Sequence, residues 1–597
     1  MNTDLKDCID QRKSFFLYAG AGSGKTFALV ELLRYVEGTL GQQLKARKSK
    51  VAVITYTNAA TDEIKRRVEY NDLFDISTIH SFIWNVIQPF QGDIKQILKA
   101  DIQKKLEEQE GKKRTASVAE KIEKYNERLN IIEEISLFIY NPNGDNVETN
   151  SLNHSEVISI GAQMIGGSTL LQTLIAQRYP FFFIDESQDT NKDVMKALLK
   201  MEDNNHEHQT MGLFGDVKQR IYLDGLPNIE EYIPARWGRP VLNTNYRSDK
   251  RIVELANCIA GEIQRDERVY AQKPLDSAEE GIVRLFLIDV TKDIDREQKE
   301  DEVCKIMSGV TNDLMWEKPS EVKLLTLEHK MAAKRMGFTD LFEKLYQGRY
   351  KDDFLRGEIP ASHLFMQVIC PILDAERAGD EVLVSDIIRS NSPLFDTKET
   401  VTMKLLKTVG SAYQDLRLCL LSQTTSIGDC IKAVIKSNLF SVSDILREAV
   451  CGAIKEDDDG VDETEAIERW RSVVGIPLGQ FYSYYEYITD HSRFATHQGV
   501  KGLEYDRVLA VYDDYEARGK TFGFEKSLGA AELSDRDMQN MAEGKETTVD
   551  RTMRLIYVTC TRPKKSLALV VYTEAPEKVK KELLAKGWFK AEEVQEI

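Results

Sequence analysis

No apolar stretch in the 597-residue sequence approaches the ~20 residues of a bilayer-spanning helix, so no membrane segment or membrane partner is expected. No Cys-x-x-Cys pair occurs among the eight cysteines (Cys8, Cys258, Cys304, Cys370, Cys419, Cys430, Cys451 and Cys560). That argues against a zinc or iron–sulfur site and fits a reducing cytoplasm. Positive charge is in deficit: 80 Lys and Arg against 97 Asp and Glu leave a formal net charge of −17. Coating duplex nucleic acid by bulk electrostatics is disfavoured at that charge, whereas a local basic groove that grips and releases is compatible with it. Met1 to Lys13 is polar and charged, so no signal peptide is expected. No internal repeat stands out.

What is present suits a globular chain: 42% hydrophobic and 30% charged residues, enough for about three to five units of ~100–200 residues. Apolar runs at Phe15–Tyr18, Val51–Thr55, Phe181–Ile184 and Met211–Phe214 read as buried strands alternating with helices, the pattern of a parallel α/β sheet. The pattern restarts after Tyr246, with strands near Val283–Leu287, Val322–Leu327, Val508–Val511 and Leu567–Val571. A charged helical region runs from about Asp93 to Glu134, and a second helical region from Ala332 to Tyr485. The acidic run Glu456–Glu465 is superficially a calcium loop. Val461 sits at a ligand position and Asp462 at the turn-glycine position, so a solvated loop is expected.

Two motifs carry chemistry. Ala19-Gly20-Ala21-Gly22-Ser23-Gly24-Lys25-Thr26 follows a strand and opens a helix, the context of a P-loop. Glycines let backbone N–H groups turn onto phosphates, and the helix N-terminus adds partial positive charge. Lys25 would reach the β- and γ-phosphates of ATP, with the Thr26 hydroxyl on Mg²⁺. In Phe181-Phe-Phe-Ile-Asp185-Glu186 a buried strand ends in paired carboxylates. Asp185 would hold the Mg²⁺ shell and Glu186 would polarise the attacking water.

Seven blocks, the second of these motifs among them, resemble the superfamily 1 helicases of the UvrD/Rep/PcrA type, in the family's order: Ile54–Ala60 (motif Ia), Thr78–Phe82 (Ib), Asp185–Asn191 (II), Gly215–Tyr222 (III), Asn245–Ser248 (IV), Thr496–Glu504 (V) and Arg554–Arg562 (VI). The resemblance implies two RecA-like P-loop domains with helical insertions. Domain 1A is expected over 1–90 and 160–245, insertion 1B over 91–159, domain 2A over 246–331 and 486–597, and insertion 2B over 332–485. It also implies roles: Gln219 as γ-phosphate sensor, Arg247 and Arg562 as arginine fingers, Tyr246 stacking on adenine and Glu504 on the ribose. Tyr56, Thr57 and Asn58 would meet single-stranded DNA, and Thr78, His80, Phe82, Thr496 and His497 would serve the same groove.

The sequence departs from the family pattern at several points. Ala19 replaces the first glycine, Phe27 stands where an arginine often follows the P-loop, and Gln11 alone is available as an upstream adenine-reading glutamine. Tyr222-Leu-Asp224-Gly225 replaces a base-stacking Trp-Arg, and Gln498 occupies the usual histidine position of motif V. Nucleotide hydrolysis is expected to suffer less from these changes than duplex unwinding. With 35 residues after Arg562, no carboxy-terminal nuclease domain is expected, which leaves cutting to a partner. The resemblance therefore implies a cytoplasmic ATP-dependent translocase or helicase. It would act 3′→5′ on single-stranded or 3′-tailed DNA, in repair or anti-phage defence. The alternative is a regulatory ATPase that controls a separate nuclease, as does the helicase-like subunit of Gabija systems beside its OLD-family partner.

Overall fold

Strands buried on both faces pair in parallel only where helices cover each side; five strands, four buried throughout and one half-buried at the edge, build the body of the first sheet. They are β1 (Phe15–Ala19), β2 (Val51–Thr55), β3 (Phe74–Thr78), β6 (Phe181–Ile184) and β7 (Thr210–Gly215). The short β4 (Ile139–Tyr140) and β5 (Ser151–Leu152) form a separate parallel pair. With β8 (Val241–Leu242), the sheet runs in the order β3-β2-β6-β7-β1-β8, parallel throughout. The computed structural model describes residues 2–111, 116–141, 150–222, 224–263, 271–395, 402–452, 461–489, 492–517 and 521–597. Residues 456–460 of the acidic run Glu456–Glu465 lie outside them.

The chain forms two compact units, the first from 1–292, 500–508 and 519–597, the second from 293–499 and 509–518. In the first, alternate strand residues feed two cores. Phe15, Leu17, Val51, Val53, Phe181 and Phe183 pack under the helix Lys25–Ala46. Phe16, Tyr18, Ala52, Ile54, Phe182 and Ile184 face the helices Ile79–Ile87, His154–Gly167 and Lys192–Asn205. The expected charged helical region is a packed pair, Gln91–Glu110 and Ala116–Glu134. The strands β9 (Thr244–Asn245) and β10 (Lys273–Pro274) pair in parallel. A further parallel ladder joins β11 (Ile282–Asp289) to β15 (Pro563–Thr573) and to β16 (Val594–Glu596). Among the described residues no single helix is long and apolar enough to cross a membrane. The helices His154–Gly167 and Thr169–Arg178 pass that test as a pair, but they bend by 98°, and Val157, Ile160, Ile165, Leu171 and Ile175 bury their apolar faces.

The second unit holds β12 (Lys323–Thr326) paired in parallel with β13 (Phe494–Thr496), and the strand β14 (Tyr505–Asp513) enters it at Leu509. Helices from His329–Arg335 to Leu478–Ile488 supply the expected helical region. Their core is aromatic: Phe365 stacks on Trp470 with ring centroids 5.6 Å apart, and Phe354 lies 4.3 Å from Tyr484.

Candidate active site

The glycine turn is built from β1 and the helix that starts at Lys25. Gly22 (φ 73°) and Gly24 (φ 80°) take the left-handed backbone that L side chains avoid. Ala19 is the last residue of the strand, where a Cβ costs nothing, and this accounts for the missing first glycine. A Cβ on Gly22 would lie 2.8 Å from Arg247 Cβ and 2.9 Å from Asn245 Oδ1. The loop is thus a cradle with backbone, not side chains, on its inner face. Ser23 Oγ closes it by donating to the Gly20 carbonyl at 2.8 Å.

Lys25 Nζ is buried and pairs with Glu186 Oε1 at 3.0 Å. Burial pulls its pKa down, and the carboxylates of Glu186, Asp216 and Asp185 more than reverse this, so the ammonium is held charged. A buried cation held charged at the rim of a glycine cradle fits a phosphate. At the end of β6, Glu186 takes φ 47°, strain of the kind that over-determined sites retain. Burial followed by the neighbouring Glu186 charge raises the Asp185 pKa. Burial opposes the Glu186 charge, but Lys25 and Lys501 overcome it and lower that pKa. One buried acid and one hydroxyl, Thr26, suit Mg²⁺, which keeps waters and takes phosphate oxygens to complete its shell. No self-sufficient cluster of metal-binding side chains occurs among the described residues.

Gln219 donates to Asp216 Oδ2 at 2.8 Å, and its Oε1 accepts from Arg562 Nη2 at 3.5 Å. Arg562 is 1% exposed. It donates to the carbonyls of Val558 (2.8 Å) and Leu503 (3.1 Å) and to Thr561 Oγ1 (2.9 Å). Burial, with Arg247 close by, lowers its pKa to about 9, so it stays cationic at neutral pH. Lys501 donates to Asp189 and, at 2.7 Å, to the Gln219 carbonyl. Asn245 and Gln272 both donate to the Ala21 carbonyl, at 3.0 and 2.9 Å, and Tyr246 N–H donates to Gly22 O at 2.8 Å. The Tyr246 ring is 63% exposed beside Gly24, with an open face for a base. Glu504 accepts from Arg247 Nε at 2.8 Å and pairs with Lys564 at 3.3 Å. Lys25, Asp185, Glu186, Gln219, Arg247, Tyr246, Glu504 and Arg562 therefore all stand around one turn.

The residues expected in a strand groove divide. Tyr56 is exposed at 37% and stacks on Tyr222, centroids 5.1 Å apart. Thr57 and Thr78 cap their helices, accepting from Ala60 N–H and Ser81 N–H, and Asn58 opens the first of these helices. His80 packs on His154 at 4.2 Å. Phe82 is 2% exposed in the core of the first sheet. In the second unit His497 is fully buried, with Nε2 donating to Val511 O at 2.9 Å, and Thr496 is buried as well. Sequence reasoning misses Asp189, Asp216, Gln272 and Tyr557, whose hydroxyl donates to Asp216 Oδ2 at 3.3 Å. Gln272 carries no local signal, lying 251 residues from its acceptor.

A cradle of backbone with a lysine, paired acids and a buried arginine around it is the substrate wall of a P-loop nucleoside triphosphatase. A family profile described as an AAA domain matches residues 7–224. Together with the seven ordered motifs, the matches to known proteins support a likeness to the UvrD-like superfamily 1 helicases, ATP hydrolases of α/β fold. Along nearly its whole length it is similar to the Gabija protein GajB of Bacillus cereus (strain HuB5-5), 25% identical over 679 aligned residues that cover 94% of this chain and 93% of that protein. A probable DNA helicase II homolog of Mycoplasma capricolum subsp. capricolum is 27% identical over 40% of this chain and 38% of its own length. One subunit of an ATP-dependent helicase/nuclease of Listeria innocua is 26% identical over 41% of this chain and 20% of its own.

Proposed function

We propose that this enzyme couples ATP hydrolysis to movement along single-stranded DNA, 3′→5′, in the cytoplasm. The arrangement of Lys25 and Glu186 with Gln219 and Arg562 around one glycine turn carries this reading. Lys25 and the backbone of residues 19–24 hold the phosphates, Glu186 orients and deprotonates the water, and Arg247 and Arg562 offset charge on the transferred phosphoryl group. Thr26 and Asp185 would hold Mg²⁺, which would supply positive charge to offset that of the phosphates. Glu504, now on Arg247, turns to the ribose, and Tyr246 stacks on the base. Tyr56, Thr57 and Asn58 meet the strand. The boundaries 1–90 with 160–245 (1A), 91–159 (1B), 246–331 with 486–597 (2A) and 332–485 (2B) belong to the same proposal.

The end-to-end similarity to GajB favours a second element: service in anti-phage defence beside a separate nuclease, with control of that nuclease outweighing unwinding. The test measures ATP hydrolysis with and without single-stranded DNA, displacement of a 3′-tailed duplex, and co-purification of a nuclease encoded next door. Single-strand stimulation with displacement supports the motor, while stimulation without displacement and with a bound nuclease supports the regulator. Lys25→Ala is expected to abolish turnover in either case; hydrolysis retained in that variant sinks the phosphate assignment.

A further inference from the structure

We propose that Glu546 is a positioning residue that couples the nucleotide site to the strand-binding tract, by holding Arg220 and Arg554 on one carboxylate oxygen. The inference rests on the reading of the enzyme as a strand-driven ATPase. Glu546 Oε1 accepts from Nη2 of Arg220 and from Nη2 of Arg554. Arg554 Nε also donates to the Arg220 carbonyl at 2.8 Å, and Arg551 Nη1 donates to the Glu546 carbonyl at 3.4 Å. The side chains of Arg220, Arg554 and Glu546 are only 8%, 12% and 23% exposed. Two guanidiniums sharing a single acid in so little solvent would repel each other without it. Burial, with Arg220 as neighbour, lowers the Arg554 pKa to about 9, so Arg554 stays charged at neutral pH.

The position of this knot gives it a role beyond stability. Arg554 lies on the helix Thr548–Cys560, which leads directly into Arg562. Arg220 lies between Gln219, which meets Arg562 and Lys501, and Tyr222, which stacks on Tyr56. The segment 219–222 therefore meets the phosphate-binding residues at one end and, at the other, an aromatic pair of which Tyr56 is exposed and Tyr222 half-buried. Its middle is tied to the helix that carries the buried arginine. While Glu546 bridges, a shift of that helix on nucleotide binding drags Arg220 and with it Tyr222. Without the bridge, the arginine can respond to nucleotide while the tyrosine pair does not.

The test uses the full chain with Glu546→Gln, Glu546→Asp and Arg220→Gln. It records KM and kcat for ATP without DNA, the stimulation by oligo-dT, oligo-dT affinity without nucleotide, and the melting temperature. Glu546→Gln and Arg220→Gln are expected to leave the DNA-free KM and kcat within about twofold while stimulation falls at least about tenfold, a coupling loss within the usual range between two sites. Glu546→Asp is expected to restore part of it. Unchanged stimulation in both glutamine variants, or equal loss of basal and stimulated rates with a lowered melting temperature, overturns the proposal. Should Glu546→Gln fail to fold, Arg220→Gln decides alone. A wild-type enzyme that oligo-dT does not stimulate sinks the strand-driven reading itself, and the coupling role with it, before any variant is compared.

Discussion

The Arg562 guanidinium makes its close hydrogen bonds to Val558, Leu503 and Thr561, and reaches Gln219 only at 3.5 Å. Its contacts therefore hold it in place rather than use up its charge, and that charge is available to a phosphoryl group as negative charge develops there. Arg562→Ala should leave nucleotide affinity within about threefold and lower kcat by about 10³-fold, the scale of a transition-state arginine. Fluorescent-nucleotide titration and steady-state hydrolysis check this, and an equal loss in both would make Arg562 a binding group instead. At this scale the sequence was legible wherever chemistry demands a residue type at a fixed offset, as in Lys25 after the glycines or Glu186 after a buried strand. It was silent on Gln272 and Glu546, whose partners are brought to them by the fold alone.

Elements were legible where burial is complete. The runs at β1, β2, β6 and β7 have both faces buried, so an unbroken apolar string is their signature. Strand β3, Phe-Asp-Ile-Ser-Thr, has a half-covered burial pattern at the edge of its sheet, and its polar residues concealed it. The packing of these strands makes a paired prediction about two glycines. Gly212 pairs with Phe15 in register, and a Cβ there would lie 2.4 Å from Phe15 Cζ and 2.7 Å from Phe183 Cδ1. Gly212→Ala should cost about 1–3 kcal/mol, as overpacking does. Gly410 lies within the helix Met403–Leu420 and has nothing within 4 Å of the added atom, so Gly410→Ala should gain about 0.5–1 kcal/mol from helix propensity and chain entropy. Urea midpoints that moved the same way in both variants would show that local space does not govern these positions.

At the scale of the whole chain, two alternating α/β patterns were readable, but the limits of the compact units were not. The divisions at 499/500 and 508/509 fall inside a motif and inside β14, with no Pro-, Gly- or Ser-rich linker to mark them. Stability against pH is a property of this scale, because it sums over buried groups wherever they lie. Burial holds His80, His329 and His497 at pKa values of about 4, against 6.5 for a free imidazole. Above pH 6.5 all three are neutral whether the chain is folded or not, and they contribute nothing to pH dependence. As pH falls from 6.5 toward 4, the unfolded chain takes up protons that the folded chain refuses, so stability is lost across that window. Each histidine should cost about 2 kcal/mol at pH 5 relative to pH 7. Asp189, raised to about 6 mainly by burial, works in the opposite direction over the same range, so the total alone is not diagnostic. The difference between wild type and His497→Gln is: glutamine can still donate to the Val511 carbonyl but does not titrate. Denaturant unfolding at pH 7 and pH 5 should show wild type losing about 2 kcal/mol more than the variant, and parallel profiles would mean that His497 accepts its proton within the folded protein.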